Sequence, residues 1–205
     1  MVRIDRVVTR GGDGGQTSLG DGSRVPKHGA RACAIGEVDE ANAALGWLGV
    51  AAPDHASLLR SIQNALFDLG ADLCVPGTEG DRLRLTDEPV VWLERAIATL
   101  NARLPPLRSF VLPGGTEAAA RAHLARTVVR RAERAVVRIA AEEAVNPALV
   151  RYLNRLSDLL FVLARVLNSD GAADILWRPG AAPAEHGVSD HVEEVQHNND
   201  RDGDS

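Results

Sequence analysis

The composition of this 205-residue chain, with 45% hydrophobic and 25% charged residues, is that of a soluble globular protein. Aromatic residues make up only 3% of the chain, so the core must consist of Leu, Val and Ala, which favours helices over a β-sandwich. The net charge of −5 argues against a nucleic-acid partner held by bulk electrostatics.

The first predicted element is a glycine-rich loop, T-R-G-G-D-G-G-Q-T-S-L, from Thr9 to Leu19. Glycine costs about 0.5–1 kcal/mol inside a helix or strand, so this run of glycines serves something other than packing. Successive glycines leave backbone N–H groups free to converge on an anion, and Thr17, Ser18 and Lys27 would add hydroxyls and a positive charge. The stretch is neither a Walker A loop nor a Rossmann fingerprint. It indicates a phosphate-binding loop or, as the alternative, a flexible terminus.

Five amphipathic helices follow, because apolar residues recur at steps of three and four in five successive segments. The segments are Arg31 to Gly49, Ser57 to Val75, Thr86 or Asp87 to Pro105, Thr116 to the Asn146-Pro147 break, and Leu149 to Asn168. In the second segment the predicted inward residues are Leu58, Ile62, Ala65, Leu69 and Leu73. Short links between the segments predict an all-α fold, a five-helix antiparallel bundle.

The fourth helix carries Arg126, Arg130 and Arg134, which are four residues apart and therefore share a face. They follow Ala125, Val129 and Glu133 by one residue, so the three guanidinium groups border the buried stripe. They require an anion, either a carboxylate of another helix or a phosphate chain. The alternative is a solvated or subunit-bridging arginine ridge.

The rest of the chain predicts no second site and no membrane segment. Cys33 and Cys74 lack a CxxC spacing and lie in apolar patterns, so we expect small core residues in a reducing compartment. His28 and His123 have no second ligand at helical spacing, which argues against a metal held by the protein alone. Without a roughly 20-residue apolar run or a signal peptide, we expect a cytoplasmic protein with no membrane partner.

We divide the chain into an N-terminal loop of residues 1–26, a bundle domain of residues 27–178 and a tail of residues 179–205. The tail is rich in Ala, Pro, Asp, Glu, His and Asn and has no helical period. Such a composition cannot bury enough apolar surface to fold, so it predicts a disordered acidic tail.

Six blocks of the sequence, in order, resemble the PduO-type ATP:cob(I)alamin adenosyltransferases. They are the glycine-rich loop, V-D-E-A-N-A-A-L-G from Val38, Q-N-A-L-F-D-L-G-A-D-L from Gln63, F-V-L-P-G-G from Phe110, R-R-A-E-R from Arg130 and N-R-L-S-D-L-L-F from Asn154. The resemblance implies a five-helix bundle that assembles as a trimer with ATP at each subunit interface. It implies an enzyme that transfers the 5′-deoxyadenosyl group of Mg-ATP to cob(I)alamin, which gives adenosylcobalamin and triphosphate.

The resemblance also implies roles for residues that match the family's motifs. The implied nucleotide-binding residues are Thr9, Arg10, Gly12, Asp13, Gly15, Thr17, Ser18, Lys27, Arg130, Glu133 and Asn154. Arg130 and Lys27 would neutralise the departing triphosphate, and Phe110 would line the lower face of the corrin, so these three are the expected catalytic residues. Asp39 and Arg126 would form an ion pair between subunits. Mg²⁺ would be bound through the ATP phosphates, with an unknown protein ligand.

Three positions of the loop depart from the family's pattern, because Gly11, Gly14 and Gln16 replace side chains that are common there. A cradle of backbone N–H groups does not depend on those side chains. The implied partners are a reductase that supplies cob(I)alamin and an adenosylcobalamin-dependent enzyme that uses the product. The competing hypothesis is a non-catalytic nucleotide- or cobalamin-binding helical module, a sensor or chaperone.

Overall fold

Five α-helices carry the fold in the computed structural model, which describes residues 8–78 and 81–181. They are α1 (Ala30–Ala51), α2 (Ala56–Leu73), α3 (Glu88–Asn101), α4 (Glu117–Ala140) and α5 (Pro147–Leu167). This confirms the prediction of a mainly helical fold with five helices. The expectations for residues 1–7 and for most of the predicted tail lie outside the described residues.

The helices pack side by side in an order that differs from their order in the chain. α1 lies between α2 and α4, α4 lies between α1 and α5, and α3 packs against α5. Short links join α1 to α2 and α4 to α5, the connection of antiparallel neighbours. α2 and α3 therefore lie at opposite edges of the bundle.

A small β-ribbon precedes the bundle and was not predicted. Strands β1 (Gln16–Ser18) and β2 (Arg24–Pro26) pair antiparallel, with Thr17 opposite Val25. The ribbon is attached to the end of α2, where the N–H of Gly20 donates to the carbonyl of Cys74 at 2.7 Å. A Cβ at Gly20 would lie 3.0 Å from a methyl group of Val75, so this close approach favours glycine.

Side-chain caps set where the last two helices begin. The hydroxyl of Thr116 accepts from the N–H of Ala119 at 3.1 Å, and the side chain of Asn146 accepts from the N–H of Ala148 at 3.0 Å. A capping side chain of this kind contributes about 1 kcal/mol to helix stability. Asn146 also donates to the buried carboxylate of Asp72 at 2.8 Å, which joins the start of α5 to the end of α2.

Two details of the predicted core were wrong. Of the five predicted inward residues of α2, Ile62, Leu69 and Leu73 are buried, but Leu58 and Ala65 are only half-buried. Leu59 and Leu66, which also recur at helical spacing, are buried in their place. Cys33 is exposed and Cys74 is half-buried, so neither is a core residue. Among the described helices, none is long and apolar enough to cross a membrane.

Candidate active site

The glycine-rich loop lies over a cavity of about 560 Å³ between α1 and α2. Thr17 and Ser18 of the loop line the cavity, Lys27 lines it from the end of the β-ribbon, and Asp39 lines it from α1. Most of the remaining wall is apolar and comes from α1 and α2, with Ile35, Val38, Leu66, Phe67 and Ala71. Three of the predicted phosphate ligands therefore line one largely apolar cavity.

The loop turns tightly and uses part of its own backbone to do so. Gly15 has a φ of 77°, in the left-handed region that favours glycine, and its N–H donates to the carbonyl of Gly12 at 3.1 Å. The N–H of Asp13 donates to the carbonyl of Arg10 at 3.2 Å. These two N–H groups are consumed inside the loop, so the predicted cradle cannot use all of the loop's amides at once.

Lys27 is held close to the loop that it was predicted to assist. Its N–H donates to the carbonyl of Gly15 at 2.9 Å, which ties the end of the ribbon to the glycine turn. A Cβ at Gly12 would lie 2.9 Å from the Lys27 Nζ atom, so any side chain there would displace the ammonium group. Gly12 thus makes room for the positive charge of Lys27.

Glu133 and Asn154 meet at a second cavity, of about 280 Å³, on the α3 side of the bundle. The side-chain amide of Asn154 donates to the Glu133 carboxylate at 3.0 Å. The guanidinium of Arg155 donates to the other end of the Asn154 side chain, and Glu94 of α3 also lines this cavity. Arg155 was missed, although it follows Asn154 directly in the N-R-L-S-D-L-L-F block.

Arg126 and Arg130 occupy the face of α4 that was predicted for them. Arg130 is exposed and Arg126 is half-buried. Burial and, to a smaller degree, the charge of Arg130 lower the pKa of Arg126. In the described part of the chain the Nε of Arg126 is buried and makes no hydrogen bond. Such a group costs free energy until an acceptor reaches it.

Asp39 does not supply that acceptor within one chain, because it faces the cavity between α1 and α2. The α1 carboxylates that pair with α4 are Glu37 and Glu40, and both contact Arg131. Their hydrogen bonds, from Glu40 first and then Glu37, raise the pKa of Arg131. This intrachain group of Arg131, Glu37 and Glu40 was not predicted from the sequence.

Phe110 stands on the connector between α3 and α4, as the sequence predicted, with 76% of its surface exposed. Its ring centroid lies 6.0 Å from that of Trp177, at an interplanar angle of 52°. The segments 109–112 and 174–177 pair antiparallel at Val111 and Leu176, and we call them the aromatic ribbon. Trp177 was not predicted, and its only signal in the sequence was a lone aromatic residue beyond the last helix.

The predicted site residues therefore fall into three places. The loop cavity and the Glu133–Asn154 cavity share no lining residue, and the cavity beside the aromatic ribbon shares none with either. The first lies between α1 and α2 and the second beside α3, at opposite edges of the bundle. One chain does not bring all the predicted nucleotide-binding residues together.

The structure is thus a helical bundle with the packing order α2, α1, α4, α5, α3 and a glycine-rich loop over its α1 and α2 edge. The sequence matches the profile of one family, cobalamin adenosyltransferase, over residues 7–167. The chain belongs to the cobalamin adenosyltransferase family, which confirms the resemblance found in the sequence.

Relatives and solved structures agree with this membership. The chain is 52% identical over 182 residues to a cobalamin adenosyltransferase of Cupriavidus metallidurans, a match that covers 86% of this chain and 96% of the relative. It is 50% identical over 187 residues to a corrinoid adenosyltransferase of Mycobacterium tuberculosis, covering 87% and 96%. A variant of the PduO-type ATP:corrinoid adenosyltransferase from Lactobacillus reuteri, solved with cobalamin and ATP, superposes with a TM-score of 0.80 at 36% identity, covering 85% and 97%.

Proposed function

We propose that this protein transfers the 5′-deoxyadenosyl group of ATP to cob(I)alamin and releases adenosylcobalamin and triphosphate. The observation that carries the proposal is the loop cavity, in which Thr17, Ser18 and Lys27 line a largely apolar pocket. A pocket of this size, with a few polar groups in an apolar wall, suits a ligand that has an apolar part and a charged part. A related protein of known structure was solved with both ATP and cobalamin.

The complete site is proposed to form between subunits of a homotrimer. A neighbouring copy would bring Arg130, Glu133 and Asn154 to the loop cavity of the first copy. Two observations support this arrangement: the two cavities lie at opposite edges of one bundle, and the buried Nε of Arg126 makes no hydrogen bond among the described residues. Asp39 of the adjacent copy would then satisfy Arg126, and three equivalent contacts would close a ring.

The proposed reaction is a single displacement at carbon. Cobalt(I) is the nucleophile and donates both electrons of the new cobalt–carbon bond to C5′ of ATP. The bond between C5′ and its phosphate oxygen breaks, and its electron pair leaves with triphosphate. No proton is removed from carbon, so no general base is required. The protein must align cobalt with C5′ and neutralise the charge that grows on the leaving group.

Lys27 and Arg130 are the proposed groups that neutralise this charge. The ammonium of Lys27 lies against the glycine turn of its own chain, and the exposed guanidinium of Arg130 is free to reach a neighbouring copy. Arg130 offers paired donors that match phosphate geometry, whereas Lys27 supplies a point charge. Phe110 is proposed to fill the space below the corrin and exclude the axial base, which makes cob(II)alamin easier to reduce.

Mg²⁺ is expected to accompany ATP. Mg²⁺ prefers oxygen ligands and is usually bound by substrate phosphates, water and one or two carboxylates. Among the described residues, no group of three or more His, Cys, Asp or Glu could hold a metal alone, and Glu133 is one carboxylate that the proposed site offers. Bound Mg²⁺ would offset phosphate charge. The reductase, the enzyme that uses the product and the cytoplasmic location stay predictions.

An anaerobic assay tests the proposed function. Protein, Mg-ATP and cobalamin reduced by a chemical reductant are expected to yield the spectrum of adenosylcobalamin together with an equal amount of triphosphate. A sample without ATP and a sample with a non-hydrolysable carbon-linked analogue at the 5′ position serve as controls. Binding of both ligands without release of triphosphate would contradict the enzyme and support a non-catalytic binding module.

A further inference from the structure

Phe110 owes its fixed position to a segment that follows the last helix. After α5 the chain reverses through Ser169, Asp170 and Gly171, which have positive φ values of 55°, 51° and 86°. The returning segment then pairs with the connector between α3 and α4 to form the aromatic ribbon. Because left-handed conformations disfavour most side chains, three in succession persist only where the surrounding structure holds them.

Buried polar contacts at the base of the aromatic ribbon hold this turn in place. Arg165 of α5 donates from Nε to the Asp174 carboxylate at 2.8 Å, and the exposed fractions of these two side chains are only 5% and 3%. The guanidinium of Arg165 also donates to the carbonyl of Pro105 at 2.9 Å, at the start of the connector. We call Arg165, Asn168 and Asp174 the polar junction.

Asn168 fixes the other end of the same connector. Its side chain donates to the carbonyl of Gly114 at 3.1 Å and accepts from the N–H of Thr116 at 3.0 Å. A Cβ at Gly115, which has a φ of 102°, would lie 2.1 Å from the Asn168 Oδ1 atom. The connector that carries Phe110 is therefore anchored on both sides by α5 and its C-terminal turn.

The backbone of Phe110 is paired within the ribbon, but its side chain is nearly free. The N–H of Trp177 donates to the carbonyl of Phe110 at 2.8 Å, and Ser109 donates from its hydroxyl to the carbonyl of Trp177 at 2.8 Å. Trp177 is the ring that Phe110 contacts, and the tilted arrangement at 6.0 Å is one that aromatic pairs favour. With 76% of Phe110 exposed, little else limits its rotamers.

We infer that Trp177 is a positioning residue for the adenosyltransferase reaction, which holds the ring of Phe110 in the orientation that faces the corrin. The inference rests on the proposed function of Phe110. Trp177 acts through Phe110, because it restricts the rotation of the exposed ring before the substrate arrives. A side chain ordered in advance does not lose that freedom on binding, so more of the bound cob(II)alamin reaches the form without an axial base.

The test compares Trp177→Ala with Trp177→Phe in the full-length protein. The readout is the electron paramagnetic resonance signal of four-coordinate cob(II)alamin in the presence of ATP, measured together with the affinities for ATP and cob(II)alamin. Trp177→Ala is expected to lower the four-coordinate fraction and the rate of adenosylation from cob(II)alamin by roughly two- to tenfold, the size of an aromatic pair contact. Trp177→Phe keeps an aromatic partner and should restore most of the signal.

Two controls separate this inference from the proposed function. Trp92→Ala removes an equally large, partly exposed indole from α3 and should leave the signal unchanged. Phe110→Ala should abolish the signal, and a full signal in that variant would overturn the proposed function of Phe110 itself. If Phe110→Ala loses the signal while Trp177→Ala keeps it, Trp177 has no positioning role.

Binding measurements decide between positioning and direct contact. If Trp177→Ala weakens cob(II)alamin binding but the bound fraction still becomes fully four-coordinate, then Trp177 contacts the corrin, and the inference is wrong. If Trp177→Ala lowers the melting temperature by several degrees, Trp177→Leu takes its place, because leucine keeps apolar volume without an aromatic ring. A full four-coordinate signal in a stable Trp177→Leu variant likewise overturns the inference.

Discussion

The glycine-rich loop carries residues of the proposed site, and the polar junction anchors the connector that carries Phe110, but the two regions are held in opposite ways. The loop is exposed and is held by backbone bonds and by surface side chains such as Arg24, which donates to the carbonyl of Gly11 at 2.6 Å. The junction is a buried network in which Arg165 and Asp174 are almost fully enclosed. Exposed bonds exchange with water at little cost, whereas buried charges must stay paired. The loop is therefore suited to rearrange around ATP, and the junction to hold Phe110 still.

The largest expected effect comes from opening the junction. Asp174→Ala leaves the Arg165 guanidinium buried without a carboxylate, and breaking such a pair typically costs about 3–5 kcal/mol. We expect the free energy of unfolding, measured by urea denaturation, to fall by this amount. The matched control is Asp170→Asn, which removes the surface ion pair with Arg103 near the same turn and still tolerates the positive φ of this position. Equal losses in the two variants would show that burial does not distinguish the junction.

The second expected effect separates catalysis from stability at Arg130 of α4. Arg130→Ala removes one proposed donor to the departing triphosphate, and the loss of such a donor typically costs about 2.7–4 kcal/mol in the barrier, or roughly 10²–10³ in rate. The melting temperature should barely change, because Arg130 is exposed. Arg138→Ala, two turns along α4 and also exposed, is the control and should retain its rate. Wild-type turnover of Arg130→Ala at saturating ATP would assign Arg130 to a structural ridge.

A third prediction concerns Asn168, whose side-chain amide joins the end of α5 to the connector that carries Phe110. Asn168→Ala leaves the N–H of Thr116 and the carbonyl of Gly114 without their partner, at a cost of about 1–3 kcal/mol if both stay buried. Asn168→Ala should loosen the connector that carries Phe110 even where the protein stays folded. The four-coordinate signal of cob(II)alamin is therefore the more sensitive measurement. An unchanged signal at reduced stability would show that the connector is held from elsewhere.

The fourth prediction is a pH dependence of stability from His123, a buried α4 side chain. In the described residues neither ring nitrogen makes a hydrogen bond, and burial, then Arg126, lower the pKa of His123 while Asp174 opposes this. Below the ordinary pKa of about 6.5 the unfolded chain takes up a proton that the folded chain refuses. Stability should therefore fall as the pH is lowered from about 7.5 to 5.

Substitution identifies the histidine responsible. His123→Gln is expected to flatten the dependence of the urea midpoint on pH, whereas His28→Gln, at an exposed position, should leave it in place. His55 also has a pKa lowered chiefly by burial, so His55→Gln accounts for the part that remains. A slope unchanged in His123→Gln would contradict the prediction.

The smallest expected effect on stability is at the loop. Arg24→Ala removes bonds to the carbonyl of Gly11 and the hydroxyl of Ser18, but all three residues are exposed, so the free energy of unfolding should change by no more than about 0.5 kcal/mol. The KM for ATP should rise instead, because the loop loses its closed arrangement. A large loss of stability with an unchanged KM would show that the loop bonds support the fold and not the binding of ATP, contrary to the contrast drawn between loop and junction.

Much of this architecture follows from local sequence. The apolar spacing of each helix, the caps at Thr116 and Asn146 and the glycine turn at Gly15 are set by residues within a few positions of one another. Backbone propensity and capping operate over that range, so the five helices and the site blocks could be predicted. The same reasoning located Phe110 on a connector, because its neighbours Pro113 and Gly114 break helices.

Contacts between distant residues could not be read from those patterns. The intrachain partners of Arg131 are Glu37 and Glu40 on another helix. In α2, Leu59 and Leu66 are buried where Leu58 and Ala65 were expected. Trp177 reaches Phe110 from 67 residues further along the chain. Local sequence by itself determined the helices, the glycine loop and the identity of the family's motifs. Only the tertiary structure decided which charged groups pair, which apolar face is buried and which rings touch, because packing selects among alternatives that are locally equivalent.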